Sequence, residues 1–328
     1  MKLFAPIAAA ILLLLPFAAH AGSVGFTEVS VPNGADKPLV IGVWYPTDAP
    51  TSVQPLHEFT QDVAPAGAVN GARLPLVVFS HGAGGWYGEH YDTALALAHA
   101  GFVVAAVSHT GDTYDDHSRA AHISARPAQI HRLIDYMLAE WPEHGRLDAS
   151  RVGLFGFSSG GFTGLVAIGG VPNLSGIGAH CAAHPDYFDC QVLAKAHIPA
   201  SAVPNPPASD WVHDGRIKAA VIAAPALGFS FSREGLAGVT IPVQLWRAEQ
   251  DHILPAPDYA DAVHANLPTP PEFHLVASAD HYDFLAPCSD ILRKYAPDIC
   301  VSAPGFDRTD FHNTFDREVV RFFEEKLR

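Results

Sequence analysis

The sequence predicts an α/β fold, a doubly wound and mostly parallel sheet with helices on both faces. Three observations carry the prediction. Short apolar runs that read as buried strands alternate with helical stretches along the chain, as parallel crossover connections require. One of these runs, residues 152–157, passes through Gly156-Phe-Ser-Ser-Gly160 directly into a helical stretch, giving strand, tight turn and helix without a linker. The loops in which Ser, His and Asp gather follow strands, at the edge where open parallel sheets hold ligands.

The N-terminus reads as a leader outside the fold. Lys2 is a minimal basic region, residues 3–17 are apolar apart from Pro6 and Pro16, and Ala19-His-Ala21 supplies small residues for cleavage. The expectation is a secretory signal peptide over residues 1–21, with the mature chain starting near Gly22. No Cys follows the apolar stretch, so a lipoprotein anchor is not expected, and no later stretch reads as a membrane span.

Residues 22–328 read as one α/β domain. Residues 24–31 and 39–45 are the first two strands, the second rich in β-formers around Trp44 and Tyr45. Residues 47–71 read as a polar loop. Residues 74–79 are a continuous apolar run, hence a central strand, and end in Ser80-His-Gly-Ala-Gly-Gly85. A short helix over 91–100 stops at Gly101, and residues 102–107 form the next buried strand. Residues 127–141 are an amphipathic helix with Ile130, Leu133, Ile134, Met137 and Leu138 on one face. Residues 169–215 break the alternation just after the turn at Ser158 and read as a cap or lid. Strands resume at 217–223, 241–246 and 273–277, with helices at 259–266 and 310–327.

Composition narrows the function. A hydrophobic content of 48% is ample for a core, and a formal net charge of −14 argues against nucleic acid and anionic membrane surfaces as partners. The four cysteines, Cys181, Cys190, Cys288 and Cys300, form an even set in a chain expected to be exported. The two local pairings, Cys181–Cys190 and Cys288–Cys300, are favoured, each contributing about 2–3 kcal/mol by the loop-entropy model. A metal site at Cys181 with His180 and His184 is the competing reading, but the chain has no C-x-x-C pair.

The chemistry centres on Ser158. A serine hydroxyl is a weak nucleophile unless it is held in the open beside a base, and the spacing G-x-S-x-G puts it on such a turn. His281 follows the last core strand and is the expected base, with His312 a weaker candidate. Asp251, after the strand at 241–246, is the expected orienting acid, with Glu249 as its rival and Asp280 and Asp283 less suited. The oxyanion donors are expected from the backbone N–H groups of Ala83 and Ser159. Trp86 and Tyr87 are candidates for the pocket wall. Residues 109–117 hold three Asp and two His and read as a solvated rim in preference to a metal site.

With these residues in place, the chain resembles the α/β-hydrolase superfamily. More narrowly, it is similar to secreted bacterial proteins grouped as predicted dienelactone hydrolases and related to platelet-activating-factor acetylhydrolases. The resemblance rests on Phe79-Ser-His-Gly-Ala-Gly-Gly85, Ser108-His-Thr-Gly-Asp-Thr-Tyr114, Gly153-Leu-Phe-Gly-Phe-Ser-Ser-Gly-Gly161 and Asp280-His-Tyr-Asp-Phe-Leu-Ala-Pro-Cys288. Dienelactone hydrolases proper use a Cys nucleophile where this chain has Ser158. In the acetylhydrolases the acid follows the strand after the nucleophile helix, and here that strand ends in Ala223-Ala-Pro-Ala-Leu-Gly228, without a carboxylate. Asp251 therefore stands one strand later.

The expectation is an exported, secreted or periplasmic, serine hydrolase. It would cleave small-molecule carboxylic esters through an acyl-enzyme, with no cofactor, no metal and no membrane anchor. The alternatives are an amidase or peptidase with the same triad, or a non-catalytic binding protein on a hydrolase scaffold.

Overall fold

The computed structural model describes residues 22–327, so the expected leader over residues 1–21 lies outside the described residues. The chain opens with a hairpin of β1 (Ser23–Asn33) and β2 (Asp36–Thr47), paired antiparallel along nearly their whole length. A second hairpin follows, β3 (Ser52–Leu56) and β4 (Phe59–Pro65), whose β4 joins the edge of β1 in parallel. It occupies the stretch expected to be a polar loop, and that expectation is corrected. The period is strand-like, with Phe59, Gln61 and Val63 buried and Thr60 and Asp62 exposed. The polar Gln61 hides the pattern, but its side chain is used: Trp44 Nε1–H donates to Gln61 Oε1 at 2.8 Å.

The central elements follow the predicted alternation. They are β5 (Leu74–Ser80), α1 (Tyr91–His99), β6 (Val103–Ser108), α2 (Arg126–Ala139), β7 (Leu147–Phe157) and α3 (Ser159–Ala167). The expected cap carries α4 (Ile177–Ala183) and α5 (Phe188–Lys195). Then come β8 (Ile217–Ala223), β9 (Val243–Ala248), α6 (Ala260–Asn266), β10 (Glu272–Val276), α7 (Asp290–Tyr295) and α8 (Arg308–Lys326). β9 starts two residues later than expected because Pro242 has no N–H to give a ladder. The helix α7 was not expected from the sequence.

Among the described residues the strands form one sheet in the order β10-β9-β8-β7-β5-β6-β2-β1-β4-β3. From β6 to β10 every pairing is parallel, and β2 joins β6 antiparallel. The pleat divides the core in two. Leu76 and Val78 of β5 face the side covered by α2 and α3, whereas Val77 and Phe79 face the side covered by α1 and α8. α8 docks through Phe315, Val319, Phe322 and Phe323, all buried. The parallel strands deliver their carboxyl ends to one edge, and the site lies along it.

Both expected disulfides are present, Cys181–Cys190 and Cys288–Cys300. The first joins α4 to α5, and the second closes the segment that carries α7. No helix among the described residues is long and apolar enough to cross a membrane.

Candidate active site

β7 is buried from Val152 to Phe157 and ends at Ser158, whose φ of 54° and ψ of −117° no ordinary L-residue adopts without strain. Such a conformation costs about 1–3 kcal/mol and persists only when its surroundings fix it. Here the Ser158 N–H donates to the Ala223 carbonyl at 2.9 Å, and the Ser158 carbonyl accepts from Phe162 and Ala226. The turn also needs Gly160, because a Cβ there would lie 1.8 Å from the Ser80 carbonyl oxygen. The G-x-S-x-G spacing is thus a requirement for close backbone approach as well as for the turn.

Ser158 Oγ lies 3.0 Å from His281 Nε2, and His281 Nδ1 lies 2.8 Å from Asp251 Oδ2. All three side chains are buried. A carboxylate can only accept, so Nδ1 carries the proton and the Nε2 lone pair faces the serine hydroxyl. The other carboxylate oxygen of Asp251 accepts from the Ile253 and Leu254 N–H groups at 3.0 and 2.6 Å. Asp251 is therefore fixed by its own loop after β9, as the chain order demanded.

His281 opens a short turn over His281–Phe284 after β10. Asp280 caps it by accepting from the His281 N–H at 2.7 Å, and Asp283 accepts from the Asp280 N–H at 2.8 Å. Asp283 is itself held by Ser302 and, at 3.0 Å, by Arg308 Nε. The base is thus positioned from the C-terminal part of the chain as well as from its own strand.

The rival acids and base are engaged elsewhere. Glu249 accepts from the Ser278 N–H at 2.8 Å, and Asp280 pairs with His252. His312 sits beside Asp92 at 2.7 Å and donates its other ring N–H to the Asp283 carbonyl. Burial works against its charge, but Asp92 raises its pKa above the usual value. At the first disulfide, His180, Asp189 and Cys190 come together, but the Cys190 sulfur is bonded to Cys181 and offers no thiolate.

A cavity of about 1300 Å³ opens over Ser158 and His281. Ala83 lies on its wall with Gly82 and Gly84. Ser159, expected to share the oxyanion role, is buried at the first position of α3. Among the described residues neither the Ala83 nor the Ser159 backbone N–H has a hydrogen-bond acceptor in a turn, loop or cap. Trp86 lines the cavity. Tyr87 does not; its ring packs against Phe26, Trp44 and Trp86, and its hydroxyl donates to Glu28 Oε2 at 2.5 Å. The expected rim at residues 109–117 is divided: Tyr114 is exposed, but His109 and Asp112 are buried.

Sequence reasoning missed much of the cavity wall. Phe188 and Val192 come from α5, and Ile291, Leu292 and Tyr295 from α7. The two helices tied down by disulfides thus line the cavity of the catalytic serine. It also missed Arg126, which binds Asp112 behind the loop carrying Ala83. Arg126 opens α2, which also carries Arg132, and nothing in the sequence marks it as the buried one.

Comparison with known proteins agrees with this architecture. The family model of platelet-activating factor acetylhydrolase, isoform II, matches residues 56–129. No curated protein matches by sequence. A ferulic acid esterase from Streptomyces cinnamoneus superposes with a TM-score of 0.59 at 17% identity, covering 96% of this chain and 92% of its own. A dienelactone hydrolase from Anabaena variabilis superposes with a TM-score of 0.54 at 16% identity, covering 93% of this chain and 100% of its own. At such identities the likeness is one of fold. The chain has the α/β-hydrolase fold, with a buried Ser158–His281–Asp251 triad at the carboxyl edge of its sheet.

Proposed function

We propose that this protein is an exported serine esterase whose substrates carry a bulky apolar group. The observation that carries the reading is the hydrogen-bonded chain from Ser158 Oγ through His281 to Asp251. In the reaction His281 Nε2 takes the hydroxyl proton as Ser158 Oγ attacks the ester carbonyl. The tetrahedral oxyanion is received by the N–H groups of Ala83 and Ser159. Its collapse expels the alcohol, which takes the proton from His281, and water activated by the same imidazole then releases the acid. Asp251 keeps the imidazole in the productive tautomer and stabilises its charged form.

The cavity supports this substrate class. Its volume of about 1300 Å³ exceeds the ordinary small-molecule pocket, and α5 and α7 add Phe188, Val192, Ile291 and Leu292 to a wall that also carries Glu58, His117 and Lys195. A long acyl chain or an aromatic acid fits this lining better than an acetyl group. The two similar structures carry the names of a ferulic acid esterase and a dienelactone hydrolase, both consistent with ester chemistry. Export is supported by two disulfides, which persist in oxidising compartments, and by the leader expected from the sequence.

The test is hydrolysis of p-nitrophenyl esters from acetate to decanoate by the wild type and Ser158→Ala. The wild type is expected to favour the longer esters, and the variant to lose about 10⁶-fold in kcat. Equal rates for the two proteins would remove Ser158 from the reaction.

A further inference from the structure

We infer that Arg126 and Asp112 form a buried clamp that aims the Ala83 N–H at the reacting carbonyl, making Arg126 a positioning residue for the oxyanion hole. The inference rests on the serine-esterase reading above and adds a part to it.

Both residues are almost fully buried, at 2% and 3% exposure; Arg126 stands back from the cavity, and Asp112 reaches its wall. The guanidinium donates to Asp112 Oδ2 through Nε and Nη2, at 3.1 and 2.7 Å. Its remaining donors are directed at the loop after β5. Nη1 donates to the His81 carbonyl at 2.6 Å, and Nη2 to the Gly82 carbonyl at 3.0 Å. Asp112 completes the grip, its Oδ1 accepting from the Gly84 N–H at 2.9 Å. The His81 and Gly82 carbonyls and the Gly84 N–H, all within two residues of Ala83, are thus fixed by one ion pair.

Peptide geometry gives the consequence. The Gly82 carbonyl and the Ala83 N–H belong to one planar trans peptide and point in opposite directions. Drawing the carbonyl toward Arg126 turns the N–H away from it, on a residue that lines the cavity with Ser158. The same carbonyl accepts from His81 Nδ1 at 2.6 Å, so its orientation is set twice over. His81 Nε2 in turn accepts from the His109 N–H at 2.9 Å, which requires a neutral ring. Burial, with help from the Arg126 cation, holds the His81 pKa down to about 4 and so keeps that ring neutral. A cation on the carbonyl also polarises the peptide and strengthens its N–H as a donor. Arg126, set back from the cavity, acts without touching the substrate, so its loss falls on kcat.

The experiment uses the full chain with Arg126→Lys and Asp112→Asn, each assayed on a p-nitrophenyl ester and on the matching thionoester. An oxyanion hole built for oxygen accepts the larger sulfur poorly, so the wild type is expected to prefer the oxygen ester strongly. In both variants kcat is expected to fall ~10–100-fold with KM within about threefold, approaching the loss of one oxyanion donor. The ester-to-thionoester preference should fall with it. A tetrahedral-state mimic, a trifluoromethyl ketone, should lose affinity in step with kcat/KM. A purely structural role would lower the melting temperature and leave the ester-to-thionoester ratio unchanged, and that result overturns the inference. So does wild-type kcat in Arg126→Lys. Absence of Ser158-dependent turnover in the wild type would remove the underlying reading and the clamp with it.

Discussion

At the residue scale, the site spends stability in two kinds of place. Ser158 is held at a positive φ by three backbone hydrogen bonds. Asp316 is a partly buried carboxyl on α8 that accepts from Thr93 Oγ1 at 2.7 Å and lies close to Asp92 and His312. Burial, reinforced by the Asp92 carboxylate, pushes its pKa from 3.8 up to about 7. The folded chain therefore binds more protons at this group than the unfolded chain between those two values. Stability from Asp316 is full below the lower value, falls as pH rises through the window, and is gone above pH 7. Asp316→Asn abolishes this titration while keeping an oxygen for Thr93. We predict that its stability relative to wild type rises between about pH 4 and pH 8, by about 2–4 kcal/mol. Thermal unfolding of both proteins across that range checks this, and a constant difference would contradict it.

At the element scale, the walls of the cavity are short helices that cannot hold themselves. α5 and α7 have eight and six residues, too short to be stable alone in water. The Cys181–Cys190 bond ties the first turn of α5 to α4, and Cys288–Cys300 closes the segment around α7, at separations of 9 and 12 residues. Replacing Cys288 and Cys300 by Ser is predicted to cost about 3 kcal/mol by the loop-entropy model. It should also erode the preference for long acyl chains while leaving acetate turnover nearly intact. Denaturant unfolding and the chain-length profile of the double variant measure the two effects, and an unchanged profile would separate α7 from substrate selection.

The same elements show what the sequence could and could not disclose. The parallel strands were legible because residues buried on both faces leave continuous apolar runs, as in β5. The triad was legible because the fold fixes its chain order and each member follows a strand. The β3–β4 hairpin was not, since Gln61 occupies a buried position that binary patterning reads as polar. Tyr87 was expected on the pocket wall because it follows the loop carrying Ala83, but it packs behind Trp86 and turns its hydroxyl to Glu28. Arg126 and Asp112 meet across 14 residues of chain, a pairing with no local signature.

At the scale of the whole molecule, the sheet converts sequence order into a reaction path. β7 presents the nucleophile, the loop after β9 the acid, and the turn after β10 the base, all at one edge. The loop after β5 approaches from the other side of β7, where the Arg126–Asp112 pair holds it. The helices tied by the disulfides line the cavity at this edge, into which Ser158 and His281 open. The central claim is that Ser158 is the nucleophile of this assembly. It is tested most directly by treating active protein with an organophosphate ester, then locating the adduct by mass spectrometry. The account predicts one stoichiometric adduct on Ser158, appearing in step with loss of esterase activity. Loss of activity with Ser158 unmodified, or full activity with Ser158 modified, would contradict it.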